Sequence, residues 1–154
     1  MDKQVLTASM EELAPIISEI VGAGREVTIT VTGNSMRPLW YHLKNNVTLA
    51  GCDPQQLKKG DVPLYRRADG RYVLHRILRV HADTFDLVGD GQYVVETGLE
   101  KFRVLAVVTR FTKGGRSYSV RNWGYRAYAH VWLWLLPVRK YLFALYSKLK
   151  RVFR

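Results

Sequence analysis

The chain has 154 residues, 47% of them hydrophobic, which is enough for one folded core. Its single cysteine, Cys52, excludes an internal disulfide, and its four histidines lack the spacing of metal ligands, so no metal or cofactor is indicated. The net charge of +11 comes from the last third: residues 101–154 hold 13 Lys and Arg and no acid, whereas residues 1–100 hold 11 Lys and Arg against 13 acids.

The first predicted element is a short amphipathic helix within residues 1–24. Ser9 followed three residues later by Glu12 is a capping box, the signature of a helix start. Apolar residues then recur at helical spacing, at Leu13, Ile16, Ile17 and Ile20. We expect this helix to end at Gly22 or Gly24 and to pack on the domain. The mixed charges are not typical of an export signal, and the segment does not look like a membrane anchor.

Strand-forming runs dominate residues 25–115. They span 27–31, 46–50, 62–66, 72–80, 84–88 and 102–112, with glycine, proline or aspartate between them. Asp69-Gly70, between two such runs, predicts a hairpin turn. Short strands separated by turns predict a mainly β fold, built as an antiparallel β domain. The remaining residues, 116–154, are predicted to form an aromatic and basic amphipathic helical segment.

A polar turn follows the first strand, over the sequence Thr32-Gly-Asn-Ser-Met-Arg-Pro-Leu-Trp40. Gly33 allows close approach of the backbone, and a proline stiffens the exit, so Ser35 can present Oγ outward with its own N–H free. Taken alone, such a short motif is more often an ordinary turn than a nucleophile. If Ser35 is a nucleophile, Asn34, Thr32 or another backbone N–H are the candidate partners of its N–H in stabilising an oxyanion.

A candidate base and two candidate acids come later in the chain. Alternation in the run 72–80 puts His75 on a face with apolar neighbours, where a lone histidine is more often structural than catalytic. Asp90 lies in a Gly-Asp-Gly turn, a place where aspartate is common for conformational reasons alone. Glu96 follows six residues later and is equally compatible with a surface position.

Four sequence boxes stand in order along the chain: Gly33-Asn-Ser-Met-Arg-Pro38, Gly60-Asp-Val-Pro-Leu-Tyr65, Tyr72-Val-Leu-His-Arg-Ile77 and Leu87-Val-Gly-Asp-Gly91. This ordered set resembles the serine peptidase superfamily of type I signal peptidases and LexA-like self-cleaving repressors. His75 followed by Arg76 is similar to the endoplasmic-reticulum and archaeal signal peptidases, in which a histidine takes the place of the lysine base.

The resemblance implies a role for each box. Ser35 would attack the scissile carbonyl, His75 would accept the serine proton, and an acid would orient the imidazole. Asp90, at the start of the acid box, is preferred narrowly over Glu96, which stands where that branch has an aspartate. A second departure is Gly33, where signal peptidases commonly have a hydroxyl residue. The implied substrate is an extended peptide with small residues before the cut, bound along an exposed strand edge.

The C-terminal segment predicts contact with a membrane. In residues 138–154 apolar side chains gather on one side of a helix and basic ones on the other. A spanning helix would bury charges at mid-bilayer at about 2.5–3.5 kcal/mol each, so we expect the segment to lie in the interface. The expected contacts with an anionic membrane are Trp132, Trp134, Arg139, Lys140, Lys150 and Arg151. The alternative is that the aromatic stretch packs on the β domain and leaves a solvated basic face.

The sequence therefore predicts a signal-peptidase-like serine endopeptidase, peripheral on the cytoplasmic side of a membrane. The competing class is a decayed peptidase domain that binds peptides or membranes without cutting. A self-cleaving repressor is disfavoured, because about twenty-five residues before the first strand leave no room for a helix-turn-helix. The sequence shows no recognisable nucleic-acid-binding module, so nucleic acid is not an expected partner.

Overall fold

The computed structural model describes residues 8–153; residues 1–7 of the predicted N-terminal segment and Arg154 lie outside this range. The helices in this range are α1 Met10–Gly22, α2 Trp123–Trp134 and α3 Leu136–Val152. The strands are β1 Val27–Thr30, β2 Asn46–Ala50, β3 Pro63–Arg66, β4 Tyr72–Leu74, β5 Arg76–Val80, β6 Thr84–Val88, β7 Glu96–Glu100, β8 Val104–Lys113 and β9 Arg116–Ser119. Short 3₁₀ turns cover Pro54–Gln56 and Lys101–Arg103.

The strands form two antiparallel sheets. The larger has the order β1-β2-β8-β3-β4, with β9 paired to β8, and the smaller has the order β5-β6-β7. Antiparallel sheets with helices at both ends agree with the sequence prediction. The description "mainly β" does not hold, because about 31% of the protein is strand and 33% is helix. The last third of the chain supplies this difference, since it forms two helices of 12 and 17 residues.

Helix α1 begins at the predicted capping box. Ser9 Oγ accepts the Glu12 N–H at 3.3 Å, and the Glu12 carboxylate accepts the Ser9 N–H at 2.9 Å. The helix ends at Gly22, as predicted. Ile17 and Val21 are buried in the core of the larger sheet, so the helix is a layer of the domain.

The predicted strand over residues 72–80 is divided in two. β4 ends at Leu74 and β5 begins at Arg76, and the two strands belong to different sheets. Leu74 packs on the core of the larger sheet, whereas Ile77 packs in that of the smaller one. His75 therefore lies at the junction of the two sheets, where the chain passes from one to the other.

Residues 116–135 complete the domain. Gly114 and Gly115 form the turn from β8 to β9, so the larger sheet continues to Ser119, past the boundary expected at residue 115. Helix α2 begins after Asn122, whose side chain accepts two backbone N–H groups of the first turn. Aromatic side chains of α2 then pack on the core of the larger sheet.

Helix α3 is joined to the domain through a buried arginine. Arg139 is 0% exposed and donates to the carbonyls of Trp132 at 2.7 Å, Gln92 at 3.0 Å and Gly89 at 3.1 Å. Burial lowers the pKa of Arg139, and no residue in the range 8–153 forms a salt bridge with it. The expectation that Arg139 contacts a membrane is therefore wrong, because its guanidinium is used inside the protein.

We expect Arg139→Gln to lower the free energy of unfolding by about 1–3 kcal/mol, because buried carbonyl groups lose their donors. Thermal or urea unfolding measures this change. Lys140→Gln is the matched control, since Lys140 is exposed, and should change stability by no more than about 0.5 kcal/mol. Equal effects of the two substitutions would contradict the structural role of Arg139.

Candidate active site

The predicted nucleophile lies on an ordered turn. Before the turn, the Val31 N–H donates to the Asn45 carbonyl at 2.8 Å, and the Gly33 N–H donates to His42 Nδ1 at 2.8 Å. Gly33 has a φ of 81°, in the left-handed region that favours glycine. Ser35 follows, half-buried, on a backbone that these bonds hold in place.

The Gly89-Asp90-Gly91 turn packs directly on the backbone of this serine. The Gly91 N–H donates to the Ser35 carbonyl at 2.8 Å. A Cβ atom at position 89 would collide with the same carbonyl oxygen, and one at position 91 would lie 2.9 Å from the Asn34 carbonyl oxygen. Both positions therefore require glycine for this close approach. The first and the last of the four sequence boxes meet here.

Ser35 and His75 line one cavity of about 200 Å³. Residues 29–33, from β1 and the turn after it, form one wall, and residues 72–74 of β4 form another. β1 and β4 are the two ends of the main strand order of the larger sheet. The cavity therefore lies where both edges of that sheet come together.

The imidazole of His75 is held through Nδ1. The residue is 2% exposed, and its Nδ1 lies 3.1 Å from Tyr65 Oη and 3.4 Å from Glu96 Oε2. The Tyr65 ring packs edge-on against the imidazole, with the ring centroids 6.2 Å apart. His75 Nε2 makes no hydrogen bond to any residue in the range 8–153. Within the described residues, the imidazole is thus held by hydrogen-bonding distances at Nδ1 and by the Tyr65 ring, and not through Nε2.

Glu96 is in turn held by Tyr65 and Arg67. The Tyr65 hydroxyl donates to Glu96 Oε2 at 2.7 Å, and Arg67 donates to both carboxylate oxygens at 2.7 and 3.0 Å. Burial alone would raise the pKa of Glu96, but His75, Arg67 and Tyr65 hold that pKa well below the usual glutamate range. Burial, with Glu96 nearby, raises the pKa of the Tyr65 phenol. At neutral pH the tyrosine is therefore protonated and the glutamate is charged.

Asp90 has different partners. It is 0% exposed and accepts Arg76 Nε and Nη2, each at 2.8 Å, and the Tyr128 hydroxyl at 2.9 Å. Burial alone would lower the pKa of Arg76, but Asp90 raises it, so the pair is ionic. Both Asp90 oxygens are engaged with these donors and neither contacts His75. The geometry therefore places Glu96, and not Asp90, beside His75, and the narrow sequence preference for Asp90 has no support in it.

The candidate oxyanion groups differ in availability. The Ser35 N–H has no backbone or side-chain acceptor within the described part of the chain, and Thr32 lines the same cavity. Asn34 does not line the cavity, and its carbonyl accepts the Arg37 N–H at 3.2 Å. The Gly33 N–H is already used in holding the turn. Of the candidate groups named from the sequence, the Ser35 N–H and Thr32 are therefore the ones that belong to residues lining the cavity.

Sequence reasoning missed Tyr65 and Arg67. Tyr65 is the last residue of the second sequence box, but the sequence pattern assigns it no role. Its position follows from the hairpin register, in which Tyr65 pairs with Val73, two residues before His75. That register depends on the turn between β3 and β4, which pattern alone does not determine.

The arrangement is suited to removing a proton from a hydroxyl group. A histidine held through Nδ1 offers Nε2 as the acceptor, and Ser35 supplies a hydroxyl on the wall of the same cavity. No protein-family model, curated protein or solved structure matches the chain. The resemblance to signal peptidases therefore rests on the four sequence boxes, and the site rests on its own geometry.

We expect Gly89→Ala to displace the Ser35 turn, because the added Cβ meets a backbone oxygen that cannot rotate away. Overpacking of this kind lowers stability by about 1–3 kcal/mol, which thermal unfolding would detect. Gly22→Ala is the control, since nothing lies within 4 Å of an added Cβ there, and it should not lower stability. A melting temperature that stays constant in Gly89→Ala would show that the contact is not tight.

Proposed function

We propose that the protein is a serine endopeptidase of the signal-peptidase type, with Ser35 as nucleophile and His75 as general base. The observation that carries this proposal is the shared cavity, which both residues line although they come from different sequence boxes. The anchoring of His75 Nδ1 by Tyr65 and Glu96 supports it, because a general base must be held in one orientation.

In the proposed mechanism each chemical step is assigned to a residue that lines the cavity. Ser35 Oγ attacks the carbonyl carbon of the scissile bond while His75 Nε2 takes the hydroxyl proton. The resulting oxyanion is stabilised by the Ser35 N–H and Thr32. His75 then gives its proton to the leaving amine as the C–N bond breaks, which leaves an ester on Ser35. A water molecule, deprotonated by His75, hydrolyses this ester, and the proton returns to Ser35 Oγ.

The proposed substrate is an extended peptide with small residues before the cut. Edge strands carry unpaired N–H and C=O groups, and an extended peptide can pair with them as an added strand. The cavity has such an edge on two sides, at β1 and β4. A peptide lying between them would pass Ser35 with its carbonyl groups exposed to the nucleophile.

The test is mass spectrometry of peptides incubated with the purified protein and anionic liposomes. The peptides should carry alanine, glycine or serine before candidate cut sites. We expect defined fragments from the wild type and a rate at least about a thousandfold lower in Ser35→Ala and in His75→Ala.

The matched controls are Ser18→Ala and His130→Gln, which change exposed residues of the same types and should cleave like the wild type. If the wild type and both site variants treat the peptides alike, the peptidase proposal is wrong. A domain that binds peptides or membranes without cutting them would then be the better description.

We also propose that α3 attaches the protein to an anionic membrane surface, as a peripheral contact on the cytoplasmic leaflet. Within residues 8–153, no helix is both long and apolar enough to cross a bilayer. Helix α3 meets the domain near its start, through buried Arg139 and through Phe143, which packs on Tyr93 and Trp132. Every residue from 144 to 153 is exposed.

The apolar stripe of α3 points away from the domain. Its members are between 43% and 76% exposed: Val138, Tyr141, Leu145, Leu149 and Val152. With 3.6 residues per turn, the centre of this stripe lies roughly 140° from the face that holds Arg139 and Phe143. An exposed apolar stripe beside exposed lysines suits the membrane interface.

The charge of α3 favours a membrane, and not a second copy of the chain, as the partner that covers this apolar stripe. Two copies meeting here would bring together two α3 helices, each with four exposed basic residues and no acid: Lys140, Lys148, Lys150 and Arg151. An anionic surface instead attracts each nearby Lys or Arg by about 1 kcal/mol. Of the contacts expected from the sequence, those that remain exposed are Trp134, Lys140, Lys150 and Arg151. Trp132 is half-buried, and its indole N–H donates to the Asp90 carbonyl at 2.8 Å.

We expect Leu145→Glu and Leu149→Glu each to weaken binding to vesicles that contain phosphatidylglycerol by at least about tenfold, because burying one leucine contributes about 1.5–3 kcal/mol. Vesicle flotation measures this binding. Phe102→Glu is the control, since Phe102 is 77% exposed but lies outside the helices, and it should bind like the wild type. If the wild type does not bind the vesicles but forms a dimer that Leu145→Glu dissociates, a second copy of the chain covers the stripe.

A further inference from the structure

Tyr65 lies between the candidate base and the candidate acid. It is 0% exposed, and its hydroxyl oxygen is 3.1 Å from His75 Nδ1 and 2.7 Å from Glu96 Oε2. Arg67 donates to both carboxylate oxygens of Glu96. The four side chains therefore form one hydrogen-bonded chain, in the order His75, Tyr65, Glu96, Arg67.

The single hydrogen of the tyrosine hydroxyl can be donated to only one of its two neighbours. Glu96 is the nearer neighbour and carries a negative charge, and short O–H···O⁻ bonds of this kind are about twice as strong as neutral ones. The hydrogen therefore points to Glu96. Tyr65 Oη is left as an acceptor toward His75, which requires a hydrogen on His75 Nδ1.

A direct bond between His75 and Glu96 is the competing arrangement. Their separation of 3.4 Å exceeds the 2.7–3.2 Å usual for N–H···O bonds, whereas the 3.1 Å between His75 Nδ1 and Tyr65 Oη falls within it. The distances thus select Tyr65 as the direct partner of the imidazole. Glu96 is therefore linked to His75 through the Tyr65 hydroxyl.

We propose that Tyr65 is the positioning residue that holds His75 in the tautomer with hydrogen on Nδ1, and that Glu96 acts through it. This inference rests on the proposed function for its catalytic meaning. In this tautomer the lone pair of the imidazole is on Nε2, where the serine proton must be received. Arg67 fixes Glu96, Glu96 fixes the hydroxyl of Tyr65, and Tyr65 fixes the tautomer of the base.

The direct test is nitrogen NMR of the protein labelled in its histidine side chains. The chemical shifts of ring nitrogens report which one carries hydrogen, and His75→Ala assigns the signals of that residue among the four histidines. We expect the wild type at neutral pH to carry hydrogen on His75 Nδ1. Tyr65→Phe should lose this preference, so that both tautomers appear, and Tyr118→Phe should not, because Tyr118 packs on Phe111 away from the cavity.

The kinetic test uses the cleavage assay described above. Tyr65→Phe should lower kcat between about tenfold and a thousandfold, with KM changed no more than about twofold, because loss of the correct tautomer slows chemistry more than binding. Glu96→Gln should act in the same direction. The double variant should be no slower than the slower single variant, since both substitutions break one chain of contacts.

Two results would overturn the proposal. One is a wild type with hydrogen on His75 Nε2, which is measured even if Tyr65→Phe does not fold. The other is a Tyr65→Phe variant that keeps the tautomer and kcat while Glu96→Gln loses both, which would make Glu96 the direct partner.

Failure of the proposed function is distinguishable from either result. The tautomer measurement needs no catalysis, so it decides the role of Tyr65 even if Ser35→Ala has no effect on peptide cleavage. Conversely, if cleavage depends on Ser35 while Tyr65→Phe changes neither kcat nor the tautomer of His75, that result would support the proposed function and contradict the role of Tyr65.

Discussion

The candidate site depends on one buried ion pair, between Arg76 and Asp90. Arg76 is the covalent neighbour of His75, and Asp90 stands between the two glycines that pack on the Ser35 backbone. Two hydrogen bonds of 2.8 Å between the pair therefore tie the segment that carries His75 to the turn that carries Ser35. Neither residue lines the cavity. The pair therefore holds the two cavity-lining segments together without lining the cavity itself.

Two charges can be buried stably only if their remaining hydrogen-bonding groups are also satisfied. Arg76 donates to the Tyr125 hydroxyl at 3.0 Å, Tyr128 donates to the Asp90 carboxylate at 2.9 Å, and Trp132 donates to the Asp90 carbonyl at 2.8 Å. All three aromatic residues belong to α2, and each combines an apolar ring with a polar atom. Helix α2 is thus part of the support of the site, although its sequence suggested only an aromatic stretch.

The sequence was informative wherever local chemistry decides the structure. The capping box set the start of α1, and the strands Asn46–Ala50 and Thr84–Val88 have the predicted bounds because alternation and turn residues mark them. The break at His75 and the choice between Asp90 and Glu96 depend instead on tertiary pairing. Glu96 lies beside His75 because it opens β7, and the pairing of β7 with β6 contains an irregularity that the local sequence pattern does not predict. Both acids were identified as candidates, but only packing separates them.

Helix α3 reverses the usual arrangement of an amphipathic helix on a globular domain. Such a helix normally buries its apolar stripe and leaves its charges in water. Here Arg139 is 0% exposed, whereas Tyr141 is 72% and Leu145 55% exposed. A buried arginine with no carboxylate partner among residues 8–153 is a costly way to attach a helix if the apolar stripe of the same helix is available for that purpose. The reversal is explained if the stripe has another use, and the proposed membrane contact supplies one while Arg139 holds the helix to the turn behind Ser35.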